Sequence, residues 1–172
     1  WLIIWSTGNS SGTRIKCRTI DYNGNLGVEN TLTSQTNIGG RYFDAVRISD
    51  TRTVVTWRQD GTGSIYNHDG STARVIDWSG SGTSRTISGG SDAATGIGNH
   101  AAGQIPSLAY DSTNSKVVLV CPSAGTSIKI VAGTVSGSAG SGSISWGTAL
   151  TFADGSDLGT NVTVTYDSTN EK

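Results

Sequence analysis

The sequence predicts an all-β chain assembled from repeated four-stranded antiparallel units. Three observations carry that expectation. Helix-favouring residues are scarce: the 172 residues include no methionine and, apart from Glu29 and Glu171, no glutamate. Gly alone supplies 24 residues, and it is joined by abundant Ser, Thr, Asn and Val, which suit short strands and tight turns. Finally, short alternating apolar stretches are separated by turn chemistry, and one strand–turn–strand string returns at a fixed interval.

That string is Tyr110-Asp111-Ser112-Thr113-Asn114-Ser115-Lys116, which recurs 56 residues later as Tyr166-Asp167-Ser168-Thr169-Asn170-Glu171-Lys172. An alternating first strand precedes each copy, at 107–110 and 162–166, and a fainter copy lies at 45–52. Second strands follow at 117–120, at 53–57 and, as a third copy, at 1–5. They end at Val120, Trp57 and Trp5, giving spacings of 63 and 52. For the third strand, 13–16 matches 126–129, while 64–67 and 72–78 compete for this role in the middle unit. The fourth strand reads as one run from Ile144 to Phe152, with Gly137–Gly142 as the hairpin loop before it. The extra residues of the longer interval are assigned to a Gly/Ser/Ala-rich loop from Gly82 to Gly103, where insertion costs little closure entropy.

Four short antiparallel strands per repeat of this length are the signature of a β-propeller blade. The expected organisation is one array over 1–172: a partial blade at 1–52, a second at 53–116 and a third at 117–172. Lys172 followed by Trp1 would recreate the Lys116-Val117 junction, so the blades are in permuted phase. Propellers run from about four to eight blades. The expectation is therefore a segment of a longer repeat protein, with subunits that join into a larger ring or stack as the alternative.

Charge and composition remove other classes. Twelve Lys and Arg are scattered among thirteen acids for a net charge of -1, which leaves no basic footprint for nucleic acid. No apolar run approaches the ~20 residues of a membrane-spanning helix, and Trp1–Trp5 lacks the features of a signal peptide. Cys17 and Cys121 alternate with apolar neighbours and read as two small buried hydrophobes, with a single disulfide as the alternative. His68 and His100 stand apart in polar, glycine-flanked stretches and read as exposed loop residues.

The strings at 110–118, Gly133-Thr134-Val135-Ser136-Gly137 and Ile144-Ser145-Trp146-Gly147-Thr148 resemble repeats in long fibre and appendage proteins of marine bacteriophages. The likeness is good over 106–172, weaker over 43–78, and poor in the glycine-rich stretch between; Trp146 stands where that group has Phe. What the resemblance implies is a virion-surface, extracellular role in fibre structure or host recognition. The partners it implies are other copies or other virion proteins, with a host cell-surface glycan as ligand. It carries no catalytic residues across, because the shared positions are turns and core.

No catalytic set, cofactor or metal site is expected from the residues. Asp60, Asp69, Asp111 and Asp154 precede Gly or Ser in turn contexts, where the carboxylate caps its own turn. Ser49-Asp50-Thr51 to Trp57 only echoes a sialidase box and lacks its glycine, and neither a nucleophile elbow nor a phosphate loop is present. Asp21, Asn23 and Asn25 alternate as in calcium loops, but no acid closes the set; Asp154 with Asp157 is a second oxygen pair, and both read as plain turns. Ligand contact is assigned to Trp57, Arg58, Trp78 and Trp146, near strand ends where a ring can face a groove between blades. An indole beside a guanidinium suits a sugar's apolar face and its hydroxyls. The alternative for these tryptophans is packing between blades. The function expected is a non-enzymatic structural and receptor-binding segment of a phage fibre. An oligomeric propeller lectin comes second and a polysaccharide hydrolase third.

Overall fold

The computed structural model describes residues 1–9, 12–32, 42–59, 70–98, 105–123, 126–155 and 161–169. Its described residues form three antiparallel sheets, and the one helical element among them is a 3-10 turn at Gly82–Ser84 within sheet 2. Sheet 1 holds β1 (Leu2–Asn9), β2 (Gly12–Thr19) and β3 (Asn30–Thr31) in that order. Sheet 2 runs β4 (Phe43–Ser49), β5 (Arg52–Gln59), β6 (Gly70–Ser79), and then an outer edge made of β7 (Thr86–Gly89) and β8 (Ala93–Gly98), both paired to β6. Sheet 3 repeats this with β9 (Ser107–Asp111), β10 (Lys116–Ser123), β11 (Ser127–Ser136), and β12 (Ser143–Trp146) and β13 (Leu150–Asp154) sharing the β11 edge.

The outer edge corrects two sequence expectations. Residues 144–152 are not one strand, and 82–103 is not simply a loop. β12 and β13 are separate pieces, as are β7 and β8. One bulge explains both, and it recurs in every sheet. In sheet 3, Trp146 pairs with Gly133 and Leu150 with Ile130, so Gly147–Ala149 stand opposite two residues. In sheet 2, Gly89 pairs with Ile76 and Ala93 with Ala73, leaving Gly90–Asp92 in the same position. In sheet 1, Leu26 bridges Ile20 and Asn30 pairs with Cys17, leaving Gly27–Glu29. Each bulge opens on a glycine whose N–H donates to the third strand: Gly27 to Thr19 O (2.9 Å), Gly90 to Val75 O (3.0 Å) and Gly147 to Ala132 O (2.9 Å). An inserted residue is left out of the ladder and kinks the strand, which is why pattern alone does not locate it.

Thr19, Val75 and Ala132 therefore correspond, 56 and 57 residues apart. Their partners on the second strands are Leu2, Val54 and Val118. The counterpart of Trp5 and Trp57 is thus Cys121, one residue beyond the Val120 expected. The longer interval gains at two places: Val54 and its partner Val75 are 21 residues apart against 17 for Leu2 and Thr19, and Val75 to Val118 spans 43 residues against 35 from Thr19 to Val54. In the middle unit β6 takes the third-strand role, and 64–67 lie outside the described residues. The division at residue 52 falls just inside the β4–β5 hairpin, whose two strands share sheet 2.

Two apolar layers hold the sheets face to face. Ile15, Cys17 and Leu32 of sheet 1 meet Val55, Trp57 and Ile76 of sheet 2. From the opposite face of sheet 2, Val54, Ala73, Val75 and Ile97 meet Leu108, Val117, Leu119, Cys121, Val131 and Ile144 of sheet 3. Alternate residues of a strand point to opposite faces, so Val54-Val55 and Val75-Ile76 serve both layers at once, and sheet 2 is buried on both sides. Cys17 and Cys121 belong to different layers, which is why they are buried thiols and not a disulfide. Polar ties complete the stack. Arg52 and Asp77 form a two-pronged pair (2.7 and 3.2 Å) that also holds Gly137 O and Gly140 N–H of sheet 3. Asp44 accepts the Leu108 N–H at 2.7 Å. Arg74 pairs with Asp92, donates to Leu32 O of sheet 1, and lies 5.9 Å from the centre of the Trp57 ring.

Candidate ligand-binding cleft

Where sheets 1 and 2 diverge they leave a half-open cleft of ≈ 880 Å³. One wall is Trp1, Leu2 and Ile4 with the β2 exit, Ile20-Asp21-Tyr22; the other is Ala45, Arg47 and Thr53 with the β6 exit at Trp78, and Arg85. Local chemistry fixes both rims. Asp21 Oδ1 accepts the Asn23 and Asn25 N–H groups at 2.9 Å each, while Oδ2 takes the Asn25 side-chain amide at 3.0 Å. Gly24 carries the positive φ of 84° that closes the turn. Tyr22 is thereby pinned at the turn tip, 85% exposed, with its ring uncommitted to the core. On the opposite rim Gly80, at φ 86°, ends β6 directly after Trp78 and Ser79.

The electrostatics are mixed in sign. The side-chain amide and backbone N–H of Asn25, helped by Arg85, hold the Asp21 carboxyl below its ordinary range. It is ionised at neutral pH and already occupied by its own turn. Arg47 pairs with Asp50 within the cleft lining. Such a surface offers flat apolar rings beside guanidinium donors and carboxylate acceptors, the combination that recognises a sugar's CH face and hydroxyls together.

Of the four residues assigned to ligand contact from sequence, Trp78 lines this cleft. Trp57 is fully buried in the layer between sheets 1 and 2, beneath Arg74. Arg58 is half-buried and anchors Tyr42 O through its backbone N–H. Trp146 packs on the layer between sheets 2 and 3, so close to Gly133 that a Cβ there would stand 2.7 Å from its ring. Packing thus accounts for Trp57 and Trp146. Trp1, Tyr22, Arg47 and Arg85 also line the cleft, outside the sequence expectation. Tyr22 had a legible signal, since an aromatic inside an Asp-x-Asn-Gly turn has no apolar neighbours to pack on.

Asp111 caps its turn as expected, accepting the Asn114 N–H at 2.9 Å and its amide at 2.7 Å, and Asp167 accepts the Thr169 N–H at 2.9 Å. Asp60, Asp69, Asp157, His68 and His100 lie outside the described residues. Among the described residues no three His, Cys, Asp or Glu cluster as metal ligands, and no helix is long and apolar enough to cross a membrane. The chain matches no protein-family model, no curated protein and no solved structure.

Proposed function

We propose that the chain is a β-propeller-like array of four-stranded blades and a non-enzymatic structural and host-receptor-binding segment of a viral fibre or surface appendage. Its ligand is a cell-surface saccharide taken in the cleft between sheets 1 and 2. The aromatic rims of that cleft, Trp1, Tyr22 and Trp78 beside Arg47 and Arg85, carry the reading. Support for blades comes from the recurring bulge and the two face-to-face layers. The virion-surface assignment rests on the resemblance of 106–172 to marine phage fibre repeats and goes beyond the fold itself. Against hydrolysis stands the cleft carboxylate Asp21, held ionised by its own turn, whereas glycoside cleavage calls for one carboxyl kept protonated.

The test is a saccharide array followed by calorimetric titration of the best binder. Trp78→Ala and Tyr22→Ala each weaken binding at least about tenfold, the worth of one stacked ring. Absence of any saccharide binding, or binding indifferent to both substitutions, refutes the ligand assignment. Release of shortened saccharide refutes the non-enzymatic one.

A further inference from the structure

Four arginines of sheets 1 and 2 have fixed acceptors. Arg18 donates to Gly27 O at 2.6 Å, Arg52 grips Asp77, Arg74 pairs with Asp92, and Arg47 pairs with Asp50. Arg85 lines the cleft and differs from them: among the described residues its guanidinium donates to no oxygen and enters no ion pair. The residue is half-buried. A cation partly withdrawn from water without an acceptor is unfavourable, and an incoming anion relieves it.

The place of Arg85 is nonetheless built by both sheets. Gly80 turns the chain after β6 with its positive φ, and the 3-10 turn Gly82–Ser84 closes with Ser84 Oγ and N–H on Ser81 O at 2.8 and 3.2 Å. Arg85 follows at once, and its carbonyl accepts the Val28 N–H of sheet 1 at 3.0 Å. Two glycines make room for it. A Cβ on Gly80 would stand 3.3 Å from Arg85 Cα, and one on Gly27 would stand 2.8 Å from Arg85 O and 3.3 Å from Arg85 Cβ. The guanidinium is thus presented from a clamped backbone.

Neither acid of the cleft claims it. The Asp21 carboxylate accepts three hydrogen bonds inside its own turn; the Asn25 amide is the main influence on it and the Arg85 charge the smallest. Asp50 belongs to the Arg47 pair, whose side chains are 90% and 69% exposed. Solvent screens a pair that open, which makes Arg47 the weaker anchor for a ligand.

The equivalent corner between sheets 2 and 3 is filled from within. By the register set at the bulges, Asp77 corresponds to Asp21, Gly137 to Gly80 and Gly142 to Arg85. There Asp77 takes both Arg52 and the Gly140 N–H. A Cβ on Gly142 would stand 2.5 Å from Val75 Cγ1 and 3.4 Å from Arg52 Nη2, so glycine lets that corner close. Where the repeat closes it carries glycine; where it opens onto the cleft it carries Arg85. The arginine is a feature of the cleft and not of the architecture.

We infer that the cleft takes an acidic saccharide, whose carboxylate or sulfate group sits on the Arg85 guanidinium with the sugar ring against Tyr22 and Trp78. The inference rests on the saccharide reading of this cleft and names the class of sugar. A planar guanidinium offers paired N–H donors that match either oxyanion. Arg85 separates acidic from neutral sugars, whereas the rings bind both.

Calorimetric titration with matched probes tests this. Oligogalacturonate and oligomannuronate are each compared with their carboxyl-reduced forms, and a sulfated galactan oligomer with its desulfated form. An acidic form binds at least about tenfold more tightly than its neutral match, and the preference shrinks as salt rises. The pair that shows it identifies the anion. Arg85→Gln abolishes the preference and leaves affinity for the neutral form unchanged. Arg85→Lys, which keeps the charge but not the fork, retains part of it. Tyr22→Ala weakens both forms alike. Thermal melts that coincide with the wild type confirm the fold of each variant. Equal affinity for acidic and neutral forms overturns the inference and leaves the saccharide reading standing, and so does a preference that survives Arg85→Gln. Absence of binding by every probe and every saccharide of the array overturns both.

Discussion

Asp77→Ala isolates the tie between sheets 2 and 3. The Asp77 carboxylate is 4% exposed and the Arg52 guanidinium it grips is 17% exposed, with both oxygens engaged. Removing the carboxylate strands a largely desolvated guanidinium and leaves the Gly140 N–H without its acceptor at 2.9 Å. Breaking one side of a buried pair costs about 3–5 kcal/mol; the residual access of water to Arg52 places this case at the low end, about 3 kcal/mol. A chain of this size has a urea slope of about 2 kcal/mol/M, so the midpoint should fall by about 1.5 M. Urea titration followed by the fluorescence of buried Trp57 gives the measurement directly. Removing both partners, as Arg52→Met with Asp77→Leu, should recover most of the loss, because no charge is then left unpaired. A midpoint fall under about 0.5 M, or a double-mutant cycle in which the two single changes simply add, would refute the coupling of Arg52 and Asp77 on which the tie to sheet 3 is built.

Two further outcomes follow from the same packing. Gly90→Ala should destabilise by about 3 kcal/mol in a thermal or urea melt, since the new methyl overlaps Gly142 O, while Gly147→Ala should cost under about 1 kcal/mol; equal costs would remove the steric account of the bulges. Burial pushes the Cys17 and Cys121 thiols from 9.0 up to about 12. The folded state therefore keeps protons that the unfolded chain releases, and the stability this lends is full below pH 9 and lost as pH rises toward 12. Alkylation at pH 8 should accordingly be slow on the folded chain and rapid in denaturant, and comparable rates in both would contradict it.

The sequence determined the strands and their repetition, because alternation and turn chemistry act between near neighbours. Asp111 and Asn114 make their capping contacts within four residues, and the string they belong to recurs in the sequence at 166–172. The sequence match of Ile15 to Ile128 agrees with the strand register for the same reason. The glycine that opens each bulge was visible as a residue but not as a bulge, since its partner is a carbonyl on another strand.

Which face a neighbour covers was decided only in three dimensions. Period-two alternation says that Val54 and Val55 point opposite ways, but not that sheet 3 meets one and sheet 1 the other. Trp57 and Trp78 have the same local appearance, each late in a strand with polar neighbours. One lies at the centre of a layer and the other on the rim of the cleft, because β6 leaves the stack at Gly80 while β5 runs through its middle. Burial is a property of two surfaces meeting, and no single strand carries the information about its opposite number.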